Sequence, residues 1–348
     1  MANDSSETPQ AGETYDDRPV HSEGLPPEVQ APLAAFKGAE PPAPQWFRDA
    51  IARAPERSFV ESLGTKIELL TWGEVGKPGL LLVHGNSAHA DWWSFIAPFL
   101  AEEHRVASMS LAGMGASEWR ERYKFSDFAH DAEACARAAG LYAGGRKPIY
   151  IGHSFGGAQV FYAAARHPEH MAAAVLVDTG FGGPPPEVEA ERARRREQIR
   201  NIPTADRPSR VYASLEQALA RFRLMPPQPA GNAFVADFIA RRSLKRAPLP
   251  DGSGEGWTWK FDPNMWDRLD RSSMASMAGA QAPKVAVPMV HIYGENSSIM
   301  RRRRAAEARF LGPDVREIEI PDSEHHVMID QPLALVAALR TLLAVWPA

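Results

Sequence analysis

The sequence of 348 residues contains a single cysteine, Cys135, so no intrachain disulfide can form. Its opening, MANDSSETPQ, lacks the apolar stretch of a secretory signal. Both features point to a reducing cytoplasm. Long apolar runs are missing too. The longest, from Met171 to Val177, has seven residues, against the ~18 that a membrane helix needs, so no membrane association is expected. A net charge of −4, from 39 basic and 43 acidic residues, excludes a whole-chain basic footprint for nucleic acid. What remains is globular composition, with 44% hydrophobic and 24% charged residues. The length suits one large α/β domain with an insertion.

The charge is uneven. Residues 1–44 hold eight acids, two bases and eight of the 30 prolines, with no alternating or helical apolar pattern. Such a segment buries too little apolar surface to offset its ordering entropy. It reads as a flexible acidic arm, anchored at most near Leu33 and Phe36. It is either an inert tail, dispensable through about residue 40, or an arm that packs on a second copy of the chain in a homodimer.

From about Trp46 the pattern becomes regular. Residues 58–62 and 65–72 read as a hairpin around Gly64. Gly79-Leu-Leu-Leu-Val83 is a short apolar run ended by Gly85, as buried parallel strands are. Further strands are expected at 106–111, 148–152, 172–177, 287–293 and 315–320. Helices are expected at 92–102, 126–139, 156–166, 300–310 and 332–343. This alternation implies an α/β fold, a mostly parallel twisted sheet with helices on both faces. Residues 45–181 and 285–348 form this core. Residues 182–284, rich in Arg, Pro and Trp, show no obvious strand and read as a helical cap inserted between two sheet strands.

The most informative segment is Pro148-Ile-Tyr-Ile-Gly-His-Ser-Phe-Gly-Gly157, which contains Gly152-x-Ser154-x-Gly156. An apolar strand precedes it and an amphipathic helix follows. Ser154 therefore sits on a tight strand-to-helix turn, with small neighbours that let it close. The helix N-terminus behind it offers free N–H groups and positive partial charge to a developing oxyanion. A serine hydroxyl needs a base. His325 and His326, on the loop between the last strand and the last helix, can both reach over the C-terminal edge of the sheet. His84-Gly85-Asn86 follows an earlier strand, and the N–H of Asn86 is a first oxyanion donor, with that of Phe155 as the second. His84 itself reads as a brace for the turn. His84, His89 and Asp91 lack a further ligand at metal-site spacing, so no metal is expected.

These residues resemble the α/β-hydrolase fold superfamily. His84-Gly85-Asn86, Leu111-Ala-Gly-Met-Gly-Ala-Ser117, Gly152-His-Ser-Phe-Gly-Gly157 and the segment from His325 to Pro332 stand in that family's order. In the family the catalytic histidine often precedes an acid by five positions and a proline by seven. Asp330 and Pro332 fit that count from His325, which the resemblance therefore makes the base. It also implies serine chemistry, because members that open epoxides or cleave carbon–halogen bonds carry an aspartate where this chain has Ser154. Carbon–carbon-cleaving members usually have an aromatic residue where this chain has His326. Most relatives place the triad acid three or four residues beyond the glycine that ends the next-to-last strand. Here that glycine is Gly294 and the positions hold Ser297 and Ser298. Asp178, at the end of the preceding strand, is the favoured acid, and Glu295 is the alternative.

In the cap, Met225, Trp257, Trp259 and Phe261 are candidate pocket residues, joined from the oxyanion loop by Trp92 and Trp93. The basic runs at 192–196 and 301–304 read as solvated helix faces, too short for a nucleic-acid surface. The reading that results is a cytoplasmic serine hydrolase with a Ser-His-Asp triad and no cofactor. It would cleave a small-molecule carboxylic ester or lactone through an acyl-enzyme. A C–C or amide-bond hydrolase on the same triad is the alternative, as is a hydrolase-like binding protein that scarcely turns over.

Overall fold

A computed structural model of the chain describes residues 24–180, 209–270, 272, 285–301 and 315–346. Among the described residues eight strands form one twisted sheet, in the order β1-β2-β4-β3-β5-β6-β9-β10. They are β1 (Glu56–Ser62), β2 (Thr65–Trp72), β3 (Gly79–Val83), β4 (Arg105–Met109), β5 (Ile149–His153), β6 (Ala173–Val177), β9 (Met289–Gly294) and β10 (Arg316–Ile320). β1 pairs antiparallel with β2, and β2 with β4. From β4 to β10 every pairing is parallel.

The central strands read as unbroken apolar runs because both sheet faces are covered. Leu80 and Leu82 of β3 enter one core with Val175 and Val177 of β6. Leu81 and Val83 enter the other, with Ala174 and Leu176. On that second face lie the helices Phe125–Ala138 and Phe155–Arg166. The first buries Phe125, Phe128, Ala129, Ala132, Cys135 and Ala136, a helical stripe of threes and fours. The last helix, Pro332–Val345, covers the opposite face through Leu335, Val336, Leu339, Leu342 and Leu343. The edge strand β10 alternates charge and apolar residues, Arg316-Glu-Ile-Glu-Ile320, which discourages further strand pairing. No helix among the described residues is long and apolar enough to cross a membrane.

Three expectations need correction. The single helix over 92–102 is instead a 3-10 turn, Ala90–Trp93, followed by a short helix, Ala97–Leu100. Pro98, in the first turn of that helix, has no N–H to continue an earlier one. The insertion is not wholly helical. It carries the helices Leu215–Leu219, Ala233–Arg242 and Met265–Arg268 and an antiparallel hairpin, β7 (Leu244–Pro248) with β8 (Glu255–Trp259). Pro250-Asp-Gly-Ser-Gly254 forms the turn between its strands. The arm divides. Residues 1–23 lie outside the described residues, but Val29 and Leu33 are buried, and Arg241 Nη2 donates to the Gly38 carbonyl at 2.7 Å. This stretch is thus anchored to the molecule around Val29, Leu33 and Gly38, because Leu33 finds a core formed largely by distant sequence. The basic run at 192–196 lies outside the described residues, as does 302–304.

A buried ion pair ties the β1–β2 hairpin to the sheet-covering helix. Arg120 donates to both oxygens of Asp131 at 2.8 Å, to Thr65 Oγ1 at 3.0 Å and to the Ser62 carbonyl at 3.1 Å. Ser62 Oγ completes the group on Asp131 at 2.6 Å. Asp131 is wholly buried. Arg120→Leu leaves that carboxylate without its cation and is expected to cost about 3–5 kcal/mol in urea unfolding. Adding Asp131→Leu is expected to recover part of the loss, because the stranded charge is then gone.

Candidate active site

The parallel strands deliver their loops to one edge of the sheet, where three of the expected residues meet. Ser154 follows β5 and caps the N-terminus of helix Phe155–Arg166, with φ 51° and ψ −117°. A non-glycine residue in that conformation is strained and must be held by its surroundings. Here its N–H donates to the Val177 carbonyl of β6 at 2.9 Å. Gly156 is required because a Cβ there would lie 2.3 Å from the His84 carbonyl. Asp178 follows β6, also at positive φ (42°), with its N–H bonded to the Ile292 carbonyl of β9 at 2.7 Å. His325 lies on the loop after β10.

Ser154 Oγ lies 2.9 Å from His325 Nε2, and His325 Nδ1 lies 2.7 Å from Asp178 Oδ1. With Nδ1–H donating to the carboxylate, Nε2 presents its lone pair to the serine hydroxyl. Asp178 is fully buried. Its carboxylate also accepts from the Gly294 N–H at 2.9 Å and from Ser297 Oγ at 2.7 Å. Glu295 is exposed and accepts instead from the Asp322 N–H at 3.1 Å. The structure therefore brings Asp178 to His325 and leaves Glu295 at the surface. Ser297, at the position where the resemblance led one to look for an acid, supplies a hydroxyl to the acid on the neighbouring strand.

The loop after β3 runs against the serine. A Cβ on Gly85 would be 3.4 Å from Ser154 Cβ and 2.9 Å from His153 Nδ1, so only glycine allows this approach to Asn86. Phe155 opens its helix, and its N–H has no acceptor four residues back within it. His84 braces the loop, with Nδ1 2.7 Å from the Gly85 carbonyl and Nε2 accepting from the Leu111 N–H at 2.9 Å. The glycine-rich turn at 111–117 is pinned by Ser117, whose Oγ donates to the Ser110 carbonyl at 2.6 Å.

Three imidazoles crowd the site. His153, His325 and His326 are all buried, with nitrogens within 4.8 Å of one another. They do not make a ready metal centre. His153 Nε2 lies 3.0 Å from the His325 carbonyl, the place of an N–H donor, and its Nδ1 faces the Gly85 backbone. Both nitrogens of His325 are engaged by Ser154 and Asp178. Burial drives His84 and His153 down to about 3 and holds His326 well below the usual histidine range, with the neighbouring rings acting the same way.

The insertion sits on this edge and grips the histidine loop. Gln228 Oε1 accepts from the His326 N–H at 2.9 Å, and its Nε2 donates to Asp330 Oδ2 at 2.9 Å. The same carboxylate accepts from the Glu324 N–H at 2.9 Å. The backbone on both sides of His325 is thus fastened through one residue of the insertion, which nothing in its local sequence marks.

The expected pocket residues separate. Trp92 is 7% exposed, and its ring lies 5.5 Å from that of His326. Trp93 is wholly buried in the sheet core. Trp259 packs on Tyr212 and Phe222 within the insertion. Trp257 lies under the Arg246 guanidinium at 4.3 Å. Met225 is 54% exposed. Phe261 bridges to Met114 and packs between the two cores. These side chains chiefly attach the insertion to itself and to the sheet domain. Trp266, unremarked in the sequence, meets Phe155 at 5.4 Å.

The chain belongs to the α/β-hydrolase fold family, whose model matches residues 78–332. It is similar to lipase LipV of Mycobacterium tuberculosis, with 27% identity over 276 residues, 78% of this chain and 95% of that one. It is similar to epoxide hydrolase A of the same organism, with 26% identity over 328 residues, 83% and 98% of the two chains. Among solved structures it resembles the thioesterase domain from the curacin biosynthetic pathway, with a TM-score of 0.61 and 21% identity. That match covers 82% of this chain and 99% of the domain. The protein is a hydrolase of this fold.

Two outcomes follow. Asp178→Asn is expected to lower turnover on the order of 10³–10⁴-fold while Glu295→Gln changes it little, with folding checked by thermal melt. The buried histidines make the fold acid-sensitive. The folded-state values of His84, His153 and His326 lie below the unfolded ~6.5, so the unfolded chain takes up protons first. Stability falls as pH drops from about 6.5 toward 3. Urea melts at pH 7 and 5 should differ, and His84→Gln or His153→Gln should shrink the difference by about 1–2 kcal/mol.

Proposed function

We propose that the protein is a serine hydrolase acting on a carboxylic ester or lactone of moderate size. The observation that supports this most is the continuous relay Ser154–His325–Asp178, with steps of 2.9 and 2.7 Å. In this reading His325 Nε2 takes the Ser154 proton as Oγ attacks the carbonyl carbon. The imidazolium is stabilised by Asp178, itself held by Gly294 and Ser297. The N–H groups of Asn86 and Phe155 receive the tetrahedral oxyanion. His325 then returns the proton to the departing alcohol. Water, activated by the same imidazole, releases the acid from Ser154. No step calls for a cofactor.

Similarity to an epoxide hydrolase raises a rival chemistry. Attack of a serine hydroxyl on an epoxide carbon would leave an ether, which no water activated by histidine can hydrolyse at a useful rate. A carboxylate nucleophile would instead leave an ester. With Ser154 in the turn, acyl transfer is the better-supported reading. The one cysteine, Cys135, is buried in the core, which suits the reducing cytoplasm we assign.

The test is covalent. A fluorophosphonate probe is expected to label Ser154, located by peptide mass mapping. A short-chain nitrophenyl ester should give a burst of nitrophenol that Ser154→Ala abolishes. Label on another residue, with activity intact in Ser154→Ala, would remove the assignment.

A further inference from the structure

The mechanism above leaves several buried polar atoms beside the nucleophile unused. Among the described residues, Trp92 Nε1 and Asn86 Oδ1 have no hydrogen-bond partner, and neither ring nitrogen of His326 has a well-formed one, the Met225 carbonyl lying only within weak reach of the ring. Trp92 and His326 are 7% and 4% exposed. Buried side-chain polar atoms are rarely left so, because each costs on the order of 1–3 kcal/mol. The rings of Trp92 and His326 lie side by side, next to the candidate base. The Trp92 ring is 5.5 Å from His326, and His326 is 4.8 Å from His325. Trp92 also shares its loop with Asn86, the proposed oxyanion donor. The backbone N–H of His326 donates to Gln228 Oε1 at 2.9 Å, which fixes the stretch of loop that carries the ring.

The chemistry of the pair is specific. Trp92 offers one N–H and no acceptor. His326 is buried among two other imidazoles and stays neutral, so it offers one N–H and one lone pair. An apolar substrate group placed here would leave these atoms unpaired. A carboxylate would be buried without the cation that a neutral His326 cannot supply. A carbonyl can accept from both N–H groups, and a hydroxyl can accept from one ring and donate to the other. Given the esterase reading above, on which this inference rests, we propose that Trp92 and His326 form a polar subsite. It selects substrates carrying a second, neutral oxygen function, keto or hydroxyl, within a few bonds of the scissile carbonyl.

The test compares kcat/KM on ethyl butanoate, ethyl 3-oxobutanoate, ethyl 3-hydroxybutanoate and 2-hydroxyethyl butanoate. Each value is divided by the alkaline hydrolysis rate of that ester, to remove intrinsic reactivity. The second and third esters separate keto from hydroxyl, and the fourth places the oxygen on the alcohol side. At least one oxygenated ester is expected to exceed ethyl butanoate by tenfold or more. Trp92→Phe and His326→Leu should each shrink that preference at least fivefold, and His326→Gln, which keeps a donor and an acceptor, should restore part of it. Fluorophosphonate labelling of Ser154 and a thermal melt certify that each variant is folded and reactive. No preference in the parent enzyme, or a preference unchanged in both Trp92→Phe and His326→Leu, overturns the subsite. Should none of these esters turn over, the esterase reading fails on its own. The subsite is then judged by binding of the same esters to Ser154→Ala, followed by tryptophan fluorescence. Tighter binding of an oxygenated ester, weakened by His326→Leu, sustains it, and equal binding of all four overturns it.

Discussion

The carboxylate of Asp178 is wholly buried and accepts from His325 Nδ1, the Gly294 N–H and Ser297 Oγ. A charge so placed is tolerable only while its donors stay in position. Those donors come from three places: the end of β9, the turn after it and the loop after β10. Its own backbone is fixed by β6 pairing with β9. One buried charge therefore sets the spacing of three strand ends and orients the imidazole that faces Ser154. The strained backbone at Ser154 and Asp178 is held by the same two ladders.

The insertion is built into this arrangement. Gln228 fastens the backbone of His326 and, through Asp330, that of Glu324. Elsewhere His89 of the loop after β3 reaches Ser243 at 2.9 Å, and Tyr123 reaches Asp262 at 2.8 Å. Its tryptophans serve mainly as structural attachments. Substrate discrimination in our reading falls to Trp92 and His326, on the loops of the sheet domain, where polar atoms lack well-formed partners among the described residues.

Much of this was legible in the sequence. The apolar runs of β3, β5 and β6 announce a sheet buried on both faces, because a strand with no solvent side cannot alternate. Gly152-x-Ser154-x-Gly156 between a strand and a helix marks the turn, because only small neighbours let it close. The β7–β8 hairpin is hidden in the sequence because its strands are short and its turn signal lies within a Pro- and Arg-rich stretch. Helix 92–102 was overdrawn because Pro98 breaks it. The packing of Leu33 was understated because the residues that bury it lie far along the chain.

The sequence by itself determined the order of the strands of the main sheet, the serine on its strand-to-helix turn and the set of groups from which a base and an acid could come. Those follow from local rules of periodicity, chain geometry and side-chain chemistry. Tertiary structure decided which candidates meet. Asp178 and Glu295 are both carboxylates at the same sheet edge, and only the parallel register of β6 beside β9 turns one toward His325 and leaves the other in solvent. The parts played by Gln228, Ser297 and Trp266 depend on contacts across the insertion and between neighbouring strands. No local pattern encodes such contacts, because they exist only once distant segments are packed together.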